Sequence, residues 1–388
     1  MSRWPSVELG EVLHTQIDAV ESAELETVNL AGVYGFARGL FKREPISPLD
    51  TTYKRFHRLN AGDFVISSPK AWEGAIARIP EEFDGWFLSP VFPTFRANPD
   101  RLNTRYLDWY CKREAVWAQL QGKAKGMGAR RESVSPAQFL SLNIPLPTID
   151  EQQCIVARLD QLAEKVRQVN EHLDAMETDA EALIRNYIFS PSEKGITKRK
   201  MSALVSLRQT DIVVDQLENY QFAGVYSFGR GVFASVNKAG SEFAYPRLST
   251  VKTGDFIYPK LMAWEGALGV VPQACDGMVV SPEFPVFTID TDAVLPEIID
   301  IYFRTPSVWP ELAGISGGTN VRRRRLQPSA FLNYEMPVPP MSTQLKIREM
   351  HRRVQQLKTS HKAIREANQA LIPATLERIF SSEGHQHG

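Results

Sequence analysis

Two stretches of this chain join small residues to clustered guanidinium groups. The first is Gly126-Met127-Gly128-Ala129-Arg130-Arg131, approached through Lys123 and Lys125; the second is Gly317-Gly318-Thr319-Asn320-Val321-Arg322-Arg323-Arg324-Arg325. Glycine lets backbone amides come close to a phosphate, and arginine binds phosphate oxygens or a guanine edge bidentately. Basic and aromatic residues are also interleaved around Tyr34, Arg38, Lys42 and Arg43, with Lys54, Arg55, His57 and Arg58 extending the set, and again around Tyr226 and Arg230. Lys70 and Lys260 complete the candidate contacts. A lone arginine run is usually a solvated surface. The same Gly-then-Arg order at the same place in both halves of the chain points instead to nucleic acid, with backbone tracking and groove contacts. Arg324 and Arg325 stand opposite Glu132 and Ser133 and are left out of the set.

Signatures of catalysis are mostly missing. There is no Gly-rich loop ending in Lys-Ser/Thr, no His-Glu-x-x-His and no Cys-x-x-Cys pair. Asn143-Ile144-Pro145-Leu146 does not replace the Asn/Asp-Pro-Pro-Tyr/Phe tetrapeptide of amino-methyltransferases. The best lone carboxylates are Glu73 and Glu265, in the repeated Trp72-Glu73 and Trp264-Glu265. One acid without a base or metal cluster beside it is weak support for catalysis. A packed tryptophan with a structural glutamate is the stronger reading.

These residues sit in a chain of 388 residues with 45 basic and 45 acidic side chains, a hydrophobic fraction of 43% and a charged fraction of 23%. That is the balance of a soluble globular protein of two or three domains. No apolar run is long enough for a membrane span, and Met1-Ser2-Arg3-Trp4-Pro5 has no apolar signal core. Cys111, Cys154 and Cys275 are scattered, which fits neither a disulfide framework nor a zinc site. A cytoplasmic protein is expected.

The chain says nearly the same thing twice. Gly32-Val33-Tyr34 returns as Gly224-Val225-Tyr226, Gly62-Asp63-Phe64 as Gly254-Asp255-Phe256, and Ala71-Trp72-Glu73-Gly74-Ala75 as Ala263-Trp264-Glu265-Gly266-Ala267. Trp117 returns as Trp309, Phe139 as Phe331 and Gln152 as Gln344, always 192 positions on (32 to 224, 152 to 344). Each unit is domain-sized, far beyond a solenoid repeat of about 20–50 residues. Asp63-Phe64-Val65-Ile66 and Asp255-Phe256-Ile257-Tyr258 read as short strands, and 104–120 and 296–309 as helices. Segments 42–60 and 234–252 occupy equivalent places but share little sequence, and are the place to look for different base readout.

Each half ends in a long helix. In the first, Ile155, Leu159, Leu162, Val166, Val169, Leu173, Met176, Ala180, Leu183 and Tyr187 alternate at four and three, the pattern of a coiled coil. In the second the seam runs Ile347, Met350, Val354, Leu357, His361, Ile364, Asn368, Leu371, with two polar residues that fix register, and Pro373 is expected to kink or end the helix. Residues 150–185 carry nine acidic and four basic side chains, whereas 342–380 carry eight basic and three acidic. An acidic and a basic helix prefer each other, so pairing within one chain, antiparallel, is expected.

In this order, repeated twice, the motifs resemble the specificity (S) subunit of Type I restriction-modification systems. The junctions Ile144-Pro145-Leu146-Pro147 to Glu151-Gln152-Gln153, and Met336-Pro337-Val338-Pro339 to Gln344, are similar to that family's Pro-Leu-Pro…Glu-Gln helix start, with Thr343 where the acid is usual. Leu371-Ile372-Pro373-Ala374-Thr375-Leu376 with Phe380 resembles its helix ending, and Leu183-Ile184-Arg185-Asn186-Tyr187-Ile188-Phe189 is a weaker copy without the proline.

The resemblance implies an α+β protein. Two similar α/β target-recognition domains in pseudo-twofold arrangement would be joined by two long antiparallel helices forming a coiled coil. The expected division is a first recognition domain at 1–147, an acidic helix at 148–190, a linker and second domain at 191–339, a basic helix at 340–380 and a disordered tail at 381–388. The family implies a non-catalytic chain without cofactor of its own, reading a bipartite site in double-stranded DNA. S-adenosylmethionine, ATP and magnesium belong to its partners, two methyltransferase subunits and restriction/translocase subunits. About 33 helical residues at ~1.5 Å rise span roughly 50 Å, or about 15 base pairs at ~3.4 Å each. In that frame the DNA-contact candidates are Tyr34, Arg38, Lys42, Arg43, Lys70, Lys123, Lys125, Arg130, Arg131, Tyr226, Arg230, Lys260, Thr319, Asn320, Arg322 and Arg323. The rival expectations are a self-contained duplicated-domain nuclease, with Glu73 and Glu265 as acids, and a coiled-coil scaffold without DNA.

Overall fold

The computed structural model describes residues 4–123, 133–189, 195–318 and 324–381, with backbone only for Gly122, Lys123 and Phe189. The chain divides into two compact units, 1–171 with 363–388, and 172–362. The mixed helix and sheet class agrees with the sequence expectation. The tail expected at 381–388 lies, apart from Ser381, outside the described residues.

In the first unit a four-stranded antiparallel sheet runs in the order Leu13–Thr15, Thr94–Ala97, Phe64–Ile66, Ile76–Arg78. The second unit repeats it as Val205–Leu207, Val286–Ile289, Phe256–Ile257, Gly269–Val270. Phe64, Phe95 and Phe139 are fully buried at the centre of one core; Phe256, Phe287 and Phe331 do the same in the other. Phe64 stacks on Phe139 at 6.3 Å between centroids and Phe256 on Phe331 at 5.4 Å. Rings that bury this much apolar area fix how the small helix after each arginine-bearing stretch sits on the sheet.

Helices α1 (Thr104–Cys111), α2 (Glu114–Lys123) and α3 (Pro136–Leu140) of the first unit correspond to α5 (Pro296–Phe303), α6 (Trp309–Ile315) and α7 (Pro328–Asn333) of the second. The single helices expected over 104–120 and 296–309 are each broken. Trp117 Nε1 donates to the Cys111 carbonyl at 2.7 Å and Trp309 Nε1 to the Phe303 carbonyl at 2.9 Å, capping α1 and α5 from the side. Pro306 adds a break in the second unit, where a 3-10 turn, Pro306–Val308, precedes α6.

The long helices are α4 (Ile149–Phe189) and α8 (Met341–Phe380). Each is fixed at its start by a buried glutamine. Gln152 accepts from Asn103 N–H at 2.8 Å and donates to the carbonyls of Arg101 (2.9 Å) and Pro147 (3.0 Å). Gln344 accepts from Leu295 N–H at 2.8 Å and donates to the carbonyl of Pro339 at 2.9 Å. The repeated Pro-x-Pro…Gln junction is thus a lock that satisfies loop amides and carbonyls with one side chain.

The helices pair antiparallel within each unit. In the first, residues 149–171 lie against 363–380: Asn368 Nδ2 donates to Asn170 Oδ1 at 3.4 Å, and Leu376 and Phe380 join Val156 and Leu159 in one core. In the second, Glu177 bonds to buried His361 at 2.8 Å, and the next turn of α4 brings Glu181 to Lys358 in the turn before His361. The polar residues expected to fix register do so. The apolar seam read from sequence is kept in part: Leu159, Leu173, Ile347, Val354 and His361 are buried, whereas Val169, Met176 and Leu183 are exposed, as are Ile364 and Leu371. Val156, Ile184 and Ile188, each one residue along from a seam position, are buried as well, and half-buried Asn170 and Glu177 stand one residue along from Val169 and Met176. Counting apolar residues alone placed part of the stripe a residue off, because polar partners on α8 make polar residues the right filling at 170 and 177.

Pro373 neither ends α8 nor stops its packing. The helix continues to Phe380, whose ring meets Tyr106 at 5.6 Å, Tyr110 at 5.1 Å and Trp4 at 6.4 Å, while Arg113 holds Glu377 at 2.7 Å. That ion pair keeps the Glu377 carboxyl below the usual carboxylate range. Burying Leu376 and Phe380, about 1.5–3 kcal/mol each, offsets an interior proline at about 3 kcal/mol.

Two outcomes test this account. Gln152→Leu and Gln344→Leu each strand a loop N–H and carbonyls and should lower stability by about 1–3 kcal/mol, read from the urea midpoint. Lys358→Glu sets a second carboxylate against Glu181 and should cost about 1 kcal/mol, partly restored by adding Glu181→Lys.

Candidate nucleic-acid interface

The shared sequence Gly-Val-Tyr-x-Phe-x-Arg-Gly builds a hairpin tip in each unit. Strands Ala31–Val33 and Leu40–Lys42 pair around residues 34–39, and Asn219–Tyr226 pairs with Gly231–Ala239 around 227–230. Both tips enter left-handed backbone at non-glycine residues: Phe36 (φ 59°) and Ala37 (φ 48°) in the first, Phe228 (φ 62°) in the second. Such angles are uncommon outside glycine and persist where the surroundings over-determine them.

The surroundings are the Ala-Trp-Glu-Gly turns. Phe36 and Ala37 N–H donate to the Glu73 and Gly74 carbonyls, both at 2.7 Å; Phe228 and Gly229 N–H donate to those of Glu265 (2.8 Å) and Gly266 (3.0 Å). Trp72 and Trp264 close their turns onto the carbonyls of Pro69 (3.2 Å) and Leu261 (2.9 Å). Gly74 has φ 76° and Gly266 φ 78°, and the rings of Trp117 and Trp309 lie where a side chain would stand, 2.6 Å from a Cβ built on Gly74. The repeated Trp-Glu pair is therefore a prop under the hairpin tip. The Glu73 carboxylate is occupied by Lys70 at 2.7 Å.

The same prop receives the chain just beyond the arginine-bearing stretches. Val134 N–H donates to the Ser68 carbonyl and Leu326 N–H to that of Lys260, each at 2.8 Å. Lys125, Arg130, Arg131, Thr319, Asn320, Arg322 and Arg323 lie outside the described residues, as does the side chain of Lys123.

Among the described candidates, Arg38 lies 4.9 Å over the Tyr34 ring and Arg230 4.6 Å over Tyr226. Their Nε groups donate to the carbonyls of Gly35 and Ser227, each at 3.2 Å. Tyr226 in turn stacks on Phe233 at 3.7 Å, and Tyr34 meets Phe41 at 4.3 Å. Lys42 sits 5.1 Å from the Trp86 ring, and Arg43 lines a cleft with Asp50, Tyr53 and Phe56. Lys70 is held by Glu73, and Lys260 donates to the Pro282 carbonyl at 2.9 Å. The extension through Arg55, His57 and Arg58 turns out to be strand chemistry: Arg55 pairs with Glu21, Arg58 approaches Asp18 at 3.9 Å, and His57 is buried against the Phe92 carbonyl. Arg325, left out of the set, pairs with Glu283. Burial pushes the Cys111 and Cys275 thiols up, away from the reactive thiolate. Sequence reasoning missed Phe36 and Phe228, both about two-thirds exposed. Their signal was present in the identical spacing of the two tips.

Comparison with known proteins gives a family match over part of the chain. The signature of the Type I restriction modification DNA specificity domain matches residues 1–177. Residues 1–177 are similar to that domain. The second half repeats its elements at the same offset of 192, as with Phe64–Ile66 and Phe256–Ile257. No curated protein matches the sequence significantly. In fold the chain is similar to the HsdS subunit from Thermoanaerobacter tengcongensis, at 18% identity and a TM-score of 0.51, covering 98% of this chain and 97% of that one. It is also similar to a chain solved for the complex assembly and conformational transition of the type I R-M system, at 18% identity and a TM-score of 0.65, covering 98% of both.

The prop must hold its shape if it is to support the hairpin tip. Gly74→Ala and Gly266→Ala combine positive φ with collision against tryptophan and should cost about 1–3 kcal/mol each in chemical denaturation. Gly85→Ala, also at positive φ but with open space around it, should cost only about 1 kcal/mol.

Proposed function

We propose that this chain is the DNA-reading, non-catalytic subunit of a Type I restriction-modification complex, with each half reading one part of a bipartite duplex site. The observation that carries this reading is a frame kept residue for residue around segments that differ. Across 42–60 and 234–252 the spacing is unchanged, so these are substitutions within one scaffold rather than insertions. In the first unit the segment presents a fully exposed Leu49 and a half-exposed Tyr53 beside Arg43. In the second it presents Phe243 packed on Tyr220 and Phe222, with Tyr245 at its edge. Two chemistries on one frame suit two different half-sites. We take the candidate contacts named from sequence to serve this reading; those on the arginine-bearing stretches lie outside the described residues.

We infer that catalysis and cofactors reside in partners: two methyltransferase subunits with S-adenosylmethionine, and restriction subunits with ATP and magnesium. Asn170, Glu177 and His361 at the helix pairing favour one fixed register, which suits docking. Among the described residues no helix is long and apolar enough to cross a membrane, and a cytoplasmic setting fits a complex that acts on cellular DNA. Neither family nor fold likeness favours a nuclease, and the Glu73 carboxylate is engaged by Lys70.

Exchanging 42–60 with 234–252 should change the methylated sequence when the chain is expressed with its methyltransferase and the genome is read by single-molecule sequencing; an unchanged sequence removes these segments from recognition. The purified chain alone should neither methylate nor cleave DNA. Its binding to duplex should fall steeply with salt.

A further inference from the structure

The hairpin tips differ in character from everything proposed to read sequence. Residues 32–41 and 224–233 agree at Gly, Val, Tyr, Phe, Arg, Gly and Phe in the same order, while the segments that follow diverge. The strand that leaves each tip, Leu40–Lys42 or Gly231–Ala239, runs directly into its divergent segment. The tip and the divergent segment are therefore continuous along one strand. An element that is the same in both halves cannot discriminate between two different half-sites.

The tip nevertheless has the means to bind. Among the described residues neither Arg38 nor Arg230 has a carboxylate within ion-pair distance. Each guanidinium is held by stacking on its tyrosine and by its Nε bond, and no bond from its terminal nitrogens appears among the described residues. That leaves the bidentate edge available for an oxyanion. Two residues before it on the same tip stands a phenylalanine, 65% exposed in both copies and held in left-handed backbone, with two main-chain bonds from the tip to the prop. A rigid apolar face next to an unspent guanidinium matches the alternation of deoxyribose and phosphate along a DNA strand.

Building on the bipartite reading above, we propose that the two tips are a duplicated, sequence-neutral grip on the DNA backbone: Arg38 and Arg230 hold a phosphate, and Phe36 and Phe228 rest against the adjoining sugar. The tips supply affinity and placement; the divergent segments supply choice.

The test uses the full chain assembled with its methyltransferase subunits. Binding is measured by fluorescence anisotropy on a duplex bearing the methylated sequence and on one with both halves scrambled, across a salt series. Arg38→Ala and Arg230→Ala should each weaken both duplexes by a similar factor, about tenfold, and lower the salt slope by about 1. The methylated sequence should stay the same. Phe36→Ala and Phe228→Ala should weaken both duplexes with the salt slope unchanged. Arg38→Lys, which keeps the charge, should keep the slope and recover part of the affinity. Relaxed methylation at one half-site would overturn the proposal by making the tip a base reader. Unchanged DNA affinity with loss of methyltransferase from the complex on gel filtration would overturn it in favour of a protein contact. If the unaltered complex failed to distinguish the two duplexes, the bipartite reading would fall, a result separate from the behaviour of the variants.

Discussion

Each unit closes its core with helix drawn from distant sequence. In the first, Leu376 and Phe380 pack beside Tyr106, Tyr110 and Leu159, joining the C-terminal end of α8 to a domain built almost wholly from the first 171 residues. In the second, Ile184 and Ile188 from α4 pack with Met201, Val338 and Ile347. Without these side chains each sheet would expose apolar surface where the helix should lie, at about 25 cal/mol for every Å². Recognition domain and helix pair therefore fold as one object within each unit. The buried glutamines add direction to this burial, since a side chain that must satisfy three backbone groups tolerates little rotation of the helix it starts.

The functional surface inherits that order through a short chain of contacts. The buried phenylalanines fix α3 and α7, the capped ends of α1 and α5 fix Trp117 and Trp309, and the tryptophans cover Gly74 and Gly266. The Ala-Trp-Glu-Gly turns then hold the hairpin tips and the residues that follow the arginine-bearing stretches. Rigid support of this kind lets polar and charged groups meet a nucleic acid without much loss of side-chain entropy on binding. It also gives Trp72-Glu73 a structural reason to repeat: the backbone carbonyl of the glutamate is what the second copy preserves.

Much of this was legible in the amino-acid order, because duplication is a property of sequence alone. The constant offset of 192 set the domain count, the paired strands and the equivalence of Trp117 with Trp309 and Gln152 with Gln344. The opposite charges of the two helices and the polar residues His361 and Asn368 predicted an antiparallel partner with fixed register, because such residues are costly unless matched. Lys42 and Arg43, and the arginines beside Tyr34 and Tyr226, stood out as basic groups among aromatics.

Tertiary structure alone decided which face of each helix meets its partner, because Glu177 and Glu181 become good neighbours at the pairing only once His361 and Lys358 stand opposite. It also separated Arg38 and Arg230, whose terminal nitrogens bond to none of the described residues, from Arg55 and Arg325, neutralised by Glu21 and Glu283 far away in sequence. Pro373 could not be read correctly from local propensity, since what carries the helix past it is the burial of Phe380 among rings from the other end of the chain. Sequence specifies which groups repeat and what charge they bear; whether a charge is spent or a side chain covered depends on contacts that exist only after the chain has folded.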